Sequence, residues 1–152
     1  MKIYSCFINT PVSHLKITQF DSSIVKIEFT HPISEHNAPP ETSLLREAKK
    51  QIDSYFHKKI TKFDLPIKFY GTEFQQKVWN ALYCIPYGQT KTYKQIAAQI
   101  GNPKAFRAVG GANNKNPLPI IVPCHRVVGT NGNLVGYAGG IDRKVRLLTL
   151  EN

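Results

Sequence analysis

The sequence contains few cysteines, and they are not arranged as in a disulfide-rich or zinc-binding domain. The three cysteines, at positions 6, 84 and 124, are an odd number without a CxxC pair, which argues against a disulfide framework. We therefore expect a reducing compartment. The five histidines show no metal-ligand spacing with the cysteines, so we expect no bound metal.

Long apolar segments are also missing. The N-terminal residues 1–6 are followed by polar Asn9 and Thr10 instead of a sustained apolar run, so neither a signal peptide nor a membrane span is visible. The chain has no internal repeat and no low-complexity tract. This pattern predicts a cytoplasmic protein that does not enter a membrane.

Acidic residues are scarce. The chain has 20 Lys and Arg residues against 10 Asp and Glu, a net charge of +10. Residues 1–70 carry ten basic and seven acidic side chains, whereas residues 71–152 carry ten and three. The second half is therefore the part expected to bind a polyanion such as nucleic acid, although a basic surface without a partner has the same composition.

The N-terminal half alternates apolar and polar residues from position 2 to position 29, which predicts a small antiparallel sheet. A proline-containing loop follows at residues 30–40, and apolar residues at helical spacing predict an amphipathic helix over residues 42–57. Residues 58–70 are expected to form a connection with room for one short strand. We expect two domains, residues 1–68 and 69–152.

The C-terminal half has clear helix start signals. Thr72 with Gln75 and Thr92 with Gln95 each form a capping-box pattern ahead of an apolar helical face. Asn102 is expected to cap a third helix. Two helices joined by a glycine-containing turn predict a helix-turn-helix, a weak signal on its own because such pairs are common in helical cores.

The third predicted helix contains the adjacent glycines Gly110 and Gly111. Each glycine costs a helix about 1 kcal/mol relative to alanine, but it lets another backbone approach closely. A helix that serves only a core has no use for them. The following glycine-rich segment, residues 129–140, is expected to fold over a ligand, and Asp142 is expected to cap a last helix.

The most reactive side chains lie in residues 120–128, where an apolar run and Pro123 precede Cys124, His125 and Arg126. Positive neighbours favour the nucleophilic thiolate over the thiol. Adjacent residues of an extended chain point to opposite faces, so either the backbone turns here or a water bridges the thiol and the imidazole. For His125 to act as a general base, a carboxylate should orient its other ring nitrogen. The second half offers three carboxylates: Glu73, Asp142 and Glu151.

Each of these residues also has a simpler interpretation. A lone cysteine in an apolar run is usually a packing residue, as we expect for Cys6 and Cys84. Arg107 is by default a solvated helix residue, although in a helix offered to DNA its planar cation can fill the gap left by an extruded base. Tyrosines such as Tyr93 and Tyr137 usually belong to a core or its rim, and Asn116 can be a turn residue.

Several motifs together resemble one family, the methylated-DNA-protein-cysteine methyltransferases, or alkylguanine-DNA alkyltransferases. They are the stretches at residues 85–88, 107–110, 116–117, 123–127 and 137–140. The resemblance covers residues 71–152 in order, and the N-terminal half is similar only loosely. It implies a small ribonuclease-H-like domain with an antiparallel sheet and helix, followed by a mainly helical domain with a winged-helix-like helix-turn-helix.

The resemblance implies that Cys124 accepts an alkyl group from O6 of guanine, once per molecule and without a cofactor. It further implies that His125 is a base acting through water, that Glu151 orients it, and that Asn116 braces the turn. Tyr93 would help protonate the leaving guanine, and Lys144 would lie near the site. The remaining contacts to the flipped base would come from the backbones of Cys124, Val127 and Ala138 and from the ring of Tyr137.

For DNA, the resemblance implies a monomer that binds double-stranded DNA carrying O6-alkylguanine through the minor groove. Arg107 would replace the flipped base in the stack. The other expected DNA contacts are Ala105, Phe106, Gly110, Asn114 and Thr130.

Two residues depart from the family pattern. Ala138 stands where many members have serine, which removes a hydroxyl but keeps the backbone N–H, and Phe106 is bulkier than the small residue expected beside Arg107. Two other functions are compatible with the motifs: a lesion-binding module without transfer activity, and a helix-turn-helix transcription regulator.

Overall fold

The computed structural model describes residues 2–32, 40–137 and 139–152. The chain divides into two compact units, Met1–Phe69 and Tyr70–Asn152. Most of the loop expected at residues 30–40 lies outside the described residues.

The first unit is a three-stranded antiparallel sheet with one helix. Strands β1 (Ile3–Asn9), β2 (His14–Phe20) and β3 (Ser23–Thr30) pair in the order β1-β2-β3. Helix α1 (Ser43–Phe56) begins after Thr42, whose side chain caps it. The predicted sheet and helix are confirmed. In place of a short strand at residues 65–67, Ile67 makes a single parallel bridge to β3.

The core of the first unit follows from the two-residue period of its strands and the helical period of α1. Alternate residues of β2 are buried, and the buried residues of α1 recur every three or four positions, so one sheet face and one helix stripe meet. The buried residues of these two elements are Leu15, Ile17, Gln19, Leu45, Ala48, Ile52 and Tyr55.

The second unit is mainly helical. Its elements are α2 (Glu73–Tyr83), β4 (Lys91–Thr92), α3 (Tyr93–Gln99), α4 (Phe106–Asn114), β5 (Val127–Val128) and α5 (Ile141–Leu150). Both predicted capping boxes are present, at Thr72 and at Thr92. The Trp79 indole on α2 donates to the carbonyl of Ala112 on α4 at 2.9 Å, which fastens the two helices together.

The starts of the last two helices differ from the prediction. Helix α4 begins at Phe106 with no side-chain cap, because the Asn102 carbonyl accepts from the amide of Ala105 and closes a separate turn. Helix α5 begins after Gly140, whose φ of 92° suits glycine, and Asp142 lies in the first turn instead of capping it. Asp142 there still complements the positive end of the helix dipole.

A short parallel pair joins the helix-turn-helix, which is formed by α3 and α4, to the reactive stretch. Lys91 and Thr92 of β4 pair with Val127 and Val128 of β5. Helix α3 starts directly after β4, and β5 starts directly after Arg126. The predicted DNA-reading helices and the predicted nucleophile are therefore held in one framework.

No helix formed by the described residues has the length and apolar character needed to cross a membrane.

Candidate active site

Cys124, His125 and Arg126 form a single turn of 3₁₀ helix. The amide of Arg126 donates to the Pro123 carbonyl at 2.9 Å, so the backbone turns here, one of the two arrangements that the sequence left open. All three residues are buried, with Cys124 3% exposed and His125 0% exposed. A buried turn of this kind fixes the thiol at one place.

The loop before this turn is braced by Asn116. Its side-chain nitrogen donates to the Val122 carbonyl at 2.8 Å, and its side-chain oxygen accepts from the Leu118 amide at 3.0 Å. Between them Ile120 has a φ of 77°, a costly conformation for a β-branched residue. The loop therefore stores strain directly before the nucleophile, and Asn116 is one of the groups that hold it.

Glu151 is the carboxylate that contacts His125. Its Oε2 lies 2.7 Å from His125 Nε2, and the Arg126 guanidinium donates to both of its oxygens at 2.8 and 2.9 Å. The other two carboxylates considered, Glu73 and Asp142, are exposed, and Glu73 pairs with Lys77. Burial and bidentate pairing make the Glu151 ion pair a rigid unit.

The imidazole is arranged as a base. Burial lowers the pKa of His125, and the neighbouring Glu151 carboxylate opposes that effect only in part. The neutral ring donates from Nε2 to Glu151, so Nδ1 is the lone-pair nitrogen. Among the described residues, Nδ1 has no hydrogen-bond partner. His125 can therefore accept a proton through that atom.

The expectation that the positive side chains of His125 and Arg126 favour the Cys124 thiolate is wrong for the resting protein. Burial raises the pKa of the Cys124 thiol to about 11, although the Asn116 side chain and the Lys144 charge act in the opposite direction. Arg126 contributes little to the thiol because its guanidinium is bound to Glu151 and to the Ile85 carbonyl at 2.6 Å. The resting group is a thiol.

Lys144 is the cation that acts on the sulfur. It is fully buried on α5, and its Nζ donates to the carbonyls of Val127 at 2.6 Å and Val135 at 2.9 Å. Burial lowers its pKa to about 8, against the raising effect of Cys124. Lys144 thus joins the strand after the nucleophile to the glycine-rich segment.

Two tyrosines line the same region. The Tyr93 hydroxyl donates to the Val135 carbonyl at 2.8 Å, and burial followed by the Cys124 charge raises its pKa. Tyr137 is buried, and the same two causes raise its pKa. Val127 accepts from Lys144 through its carbonyl, which keeps a second lone pair. Ala138 lies outside the described residues.

Most of the predicted DNA contacts lie on α4 or directly before it. Arg107 and Asn114 are exposed on α4, Phe106 is partly exposed, and Ala105 is half-buried directly before that helix. A Cβ on Gly110 would lie 3.8 Å from the Tyr93 ring. Thr130 is exposed in a separate 3₁₀ turn, Thr130–Gly132.

Sequence reasoning missed Asn113. It is buried in α4, and its side-chain nitrogen donates to the Cys124 carbonyl at 3.5 Å. The available signal was an asparagine four residues after Val109, on the apolar side of the helix. The expectation that Cys84 is a packing residue is also wrong, since it is exposed, whereas Cys6 is buried.

The described part of the chain contains no group of three or more histidine, cysteine or acidic side chains placed to hold a metal ion. A buried thiol, a histidine–glutamate pair and an adjoining helix-turn-helix define a class of protein: a nucleic-acid-binding protein that carries a nucleophilic cysteine.

Comparisons with known proteins narrow the class. Residues 73–152 match the family model "6-O-methylguanine DNA methyltransferase, DNA binding domain", and residues 3–69 match its "ribonuclease-like domain". The chain belongs to the methylated-DNA–protein-cysteine methyltransferase family. The resemblance noted in the sequence is confirmed.

Relatives match over nearly the whole chain. The methylated-DNA–protein-cysteine methyltransferase of Mycobacterium leprae is 45% identical over 95% of this chain and 89% of its own length. That of Methanosarcina acetivorans is 52% identical over 90% of this chain and 85% of its own length.

Solved structures agree with the fold. The O6-methylguanine methyltransferase of Mycobacterium tuberculosis is 43% identical, with a TM-score of 0.87 over 99% of this chain and 93% of that chain. A second structure of the mycobacterial protein, in complex with DNA, has a TM-score of 0.86 at 45% identity, over 95% of this chain and 90% of that one. The predicted two-part fold is confirmed.

Proposed function

We infer that this protein repairs DNA by moving an alkyl group from O6 of guanine to its own Cys124, which restores the guanine directly. The observation that carries this conclusion is the buried Cys124 thiol beside the His125–Glu151 pair, in a unit that also contains the helix-turn-helix. Relatives named for this reaction, matched over most of the chain, support it.

DNA approaches along α4. We propose that the helix enters the minor groove of a duplex carrying O6-alkylguanine and that the protein acts as a monomer. The basic excess of residues 71–152 supports phosphate binding. Arg107 fills the stack after the base leaves, and the further contacts are Ala105, Phe106, Gly110, Asn114 and Thr130.

The alkyl group can reach the buried sulfur only if the guanine leaves the duplex. Extrusion costs a few kcal/mol, which stacking by Arg107 and phosphate contacts offset. Tyr137 forms a wall of the base pocket, and the backbones of Cys124, Val127 and Ala138 bind the base edge. The burial of Cys124 and Tyr137 supports a pocket that is shielded from bulk solvent.

Transfer needs two proton movements and one displacement. His125 takes the thiol proton at Nδ1 through a water, with Glu151 orienting the ring and Lys144 stabilising the thiolate. Sγ then attacks the alkyl carbon, the bond from that carbon to O6 breaks, and Tyr93 supplies a proton to the leaving guanine. The raised pKa of Tyr93 supports its role as a proton donor that remains protonated until then.

The product is an S-alkylcysteine, and a thioether is a poor leaving group. No step regenerates the thiol, so each molecule acts once. Asn116 keeps the strained turn in place during the reaction. We also propose residues 1–68 and 69–152 as the domain limits, with all of this chemistry in the second domain.

The proposed repair function is tested by measuring the repaired base in the DNA. Increasing amounts of protein are added to a fixed amount of duplex containing one O6-methylguanine, and the nucleosides are quantified after digestion. We expect guanine to appear in proportion to protein, one equivalent at most. Lesion binding without guanine release would indicate a non-catalytic binding module, and selective binding of one undamaged sequence would indicate a transcription regulator.

A further inference from the structure

Phe106 is a large apolar side chain that remains partly exposed at the start of α4. It is 36% exposed, and the exposed Arg107 follows it directly. In a helix, Phe106 aligns with Val109 and Asn113, both buried, so it extends the buried stripe beyond the end of the core. The aromatic ring therefore lies next to the arginine but points in a different direction.

A lysine from the neighbouring helix is placed over this ring. Lys94 Nζ on α3 is 5.5 Å from the centroid of the Phe106 ring, within the range of a cation–π contact. Both residues are exposed, so this contact brings a positive charge and an apolar surface together at the protein surface. A duplex offers the matching pair of features, phosphates beside the faces of stacked bases.

We propose that Phe106 is a second base-extruding residue, which wedges its ring against the base step beside the lesion while Arg107 fills the vacated position. Apolar side chains inserted from the minor groove unstack base steps in this way, and aromatic rings stack on bases of any sequence. The proposal rests on the proposed function. It gives a role to Phe106, which is bulkier than the small residue expected at this position.

The alternative is that Phe106 only packs against the end of the helix. Three variants separate the two roles: Phe106→Ala, Phe106→Leu, which keeps apolar volume without a π face, and Phe106→Trp, which keeps the π face. Tyr83→Ala serves as a matched control, because Tyr83 is an aromatic residue with 40% exposure on α2. Each variant is first compared with the wild type in urea unfolding.

The experiment uses a duplex with 2-aminopurine next to O6-methylguanine, and the corresponding single strand. Fluorescence reports unstacking, and single-turnover rates report transfer. We expect Phe106→Ala to lose the fluorescence rise and to slow duplex repair about tenfold more than single-strand repair, the factor expected from about 1.4 kcal/mol of lost stacking. Phe106→Leu should lose less of both, because leucine can still act as an apolar wedge although it lacks an aromatic face. Phe106→Trp and Tyr83→Ala should behave as the wild type.

Two results would overturn the wedge: wild-type behaviour of Phe106→Ala on the duplex, or equal slowing of both substrates by Phe106→Ala. Measurements on the wild-type protein distinguish a failure of the wedge proposal from a failure of the proposed repair function. If the wild type brightens 2-aminopurine and Phe106→Ala does not, but the wild type transfers no methyl, the repair function fails while the wedge stands. If it transfers methyl and the Phe106 variants match it, only the wedge fails.

Discussion

At the scale of single residues, the site combines a Cys124 thiol that is hard to ionise with neighbouring groups that assist its ionisation. Burial raises the pKa of Cys124 to about 11 against the opposing effects of its neighbours, so the resting sulfur reacts more slowly with electrophiles in solution than an exposed thiol does. Lys144 and Asn116 lower the pKa in part, and His125 provides a proton acceptor. Reactivity is thereby directed to a substrate that fills the pocket.

The role of Lys144 predicts a pH-dependent defect. Lys144→Met removes the charge that favours the thiolate, so methylation of Cys124 by methyl iodide should slow at neutral pH. Because the pKa of Lys144 is about 8, its charge disappears above that pH, and the defect should shrink as pH rises through 8. Peptide mass spectrometry measures the rate, with exposed Cys84 as the internal reference.

A wild-type rate for Lys144→Met at neutral pH would show that its charge does not act on the sulfur. A defect of the same size at all pH values would show that Lys144 has only a structural role through the carbonyls it binds.

Glu151→Gln should destabilise the protein as well as slow transfer. The substitution leaves the buried Arg126 cation without its carboxylate, and breaking a buried pair from one side costs about 3–5 kcal/mol. Urea unfolding measures the stability. Glu73→Gln is the matched control, since its ion pair with Lys77 is exposed and should change stability by about 0.5 kcal/mol or less.

Equal unfolding free energies for Glu151→Gln and the wild type would contradict the assignment of Glu151 as the partner of the buried arginine.

At the scale of elements, α4 is both an anchored helix and an open surface. The Trp79 hydrogen bond to Ala112 and the buried Val109 fix one side of it. On the other side a Cβ added at Gly111 would meet no atom of the described residues within 4 Å. The described part of the protein therefore gives no steric reason for glycine there, although glycine weakens the helix.

This predicts opposite effects of Gly111→Ala on stability and on binding. The variant should gain about 0.5–1 kcal/mol in urea unfolding, because alanine is the better helix former. Its affinity for duplex DNA, measured by fluorescence anisotropy, should fall because a methyl group separates the helix from the groove.

Asn80→Ala, at an exposed position of α2, is the control that raises helix propensity and should leave affinity unchanged. Unaltered DNA affinity in Gly111→Ala would mean that this face of α4 does not approach DNA closely.

At the scale of the whole molecule, the net positive charge is concentrated in the second unit, because that unit has fewer acidic side chains. Residues 71–152 hold ten basic and three acidic side chains, and α4 lies in this part of the chain. Phosphate binding by such a surface releases counterions, so affinity must depend on salt.

If about four phosphates are neutralised, duplex affinity should fall roughly a hundredfold between about 50 and 200 mM salt. Anisotropy titrations over this range provide the slope of log affinity against log salt. A slope near zero would show that the basic surface does not bind the DNA backbone.

The sequence predicted most of the architecture because its signals are local. The capping boxes at Thr72 and Thr92 and the alternation in the first unit fix helix starts and strand faces without long-range information. The predicted start of α4 was wrong because Asn102 closes a turn through its backbone carbonyl. The preference of asparagine side chains for helix caps does not reveal this turn.

The candidate site was less predictable, because charges adjacent in sequence are not the charges adjacent in space. Arg126 follows the nucleophile closely but binds Glu151, whereas Lys144, twenty residues later, acts on the sulfur. The burial of Cys124 and the contact of Asn113 with its carbonyl depend on tertiary packing, which no sequence pattern in this chain encodes locally.

Alkyl transfer to Cys124 is tested most directly by mass spectrometry of the protein after reaction with a duplex containing O6-methylguanine. We expect the peptide containing Cys124 to gain one methyl group, while the peptides with Cys6 and Cys84 remain unmodified and Cys124→Ala gains none. Repair of the DNA with an unmodified Cys124 peptide, or methyl transfer to another residue, would contradict this expectation.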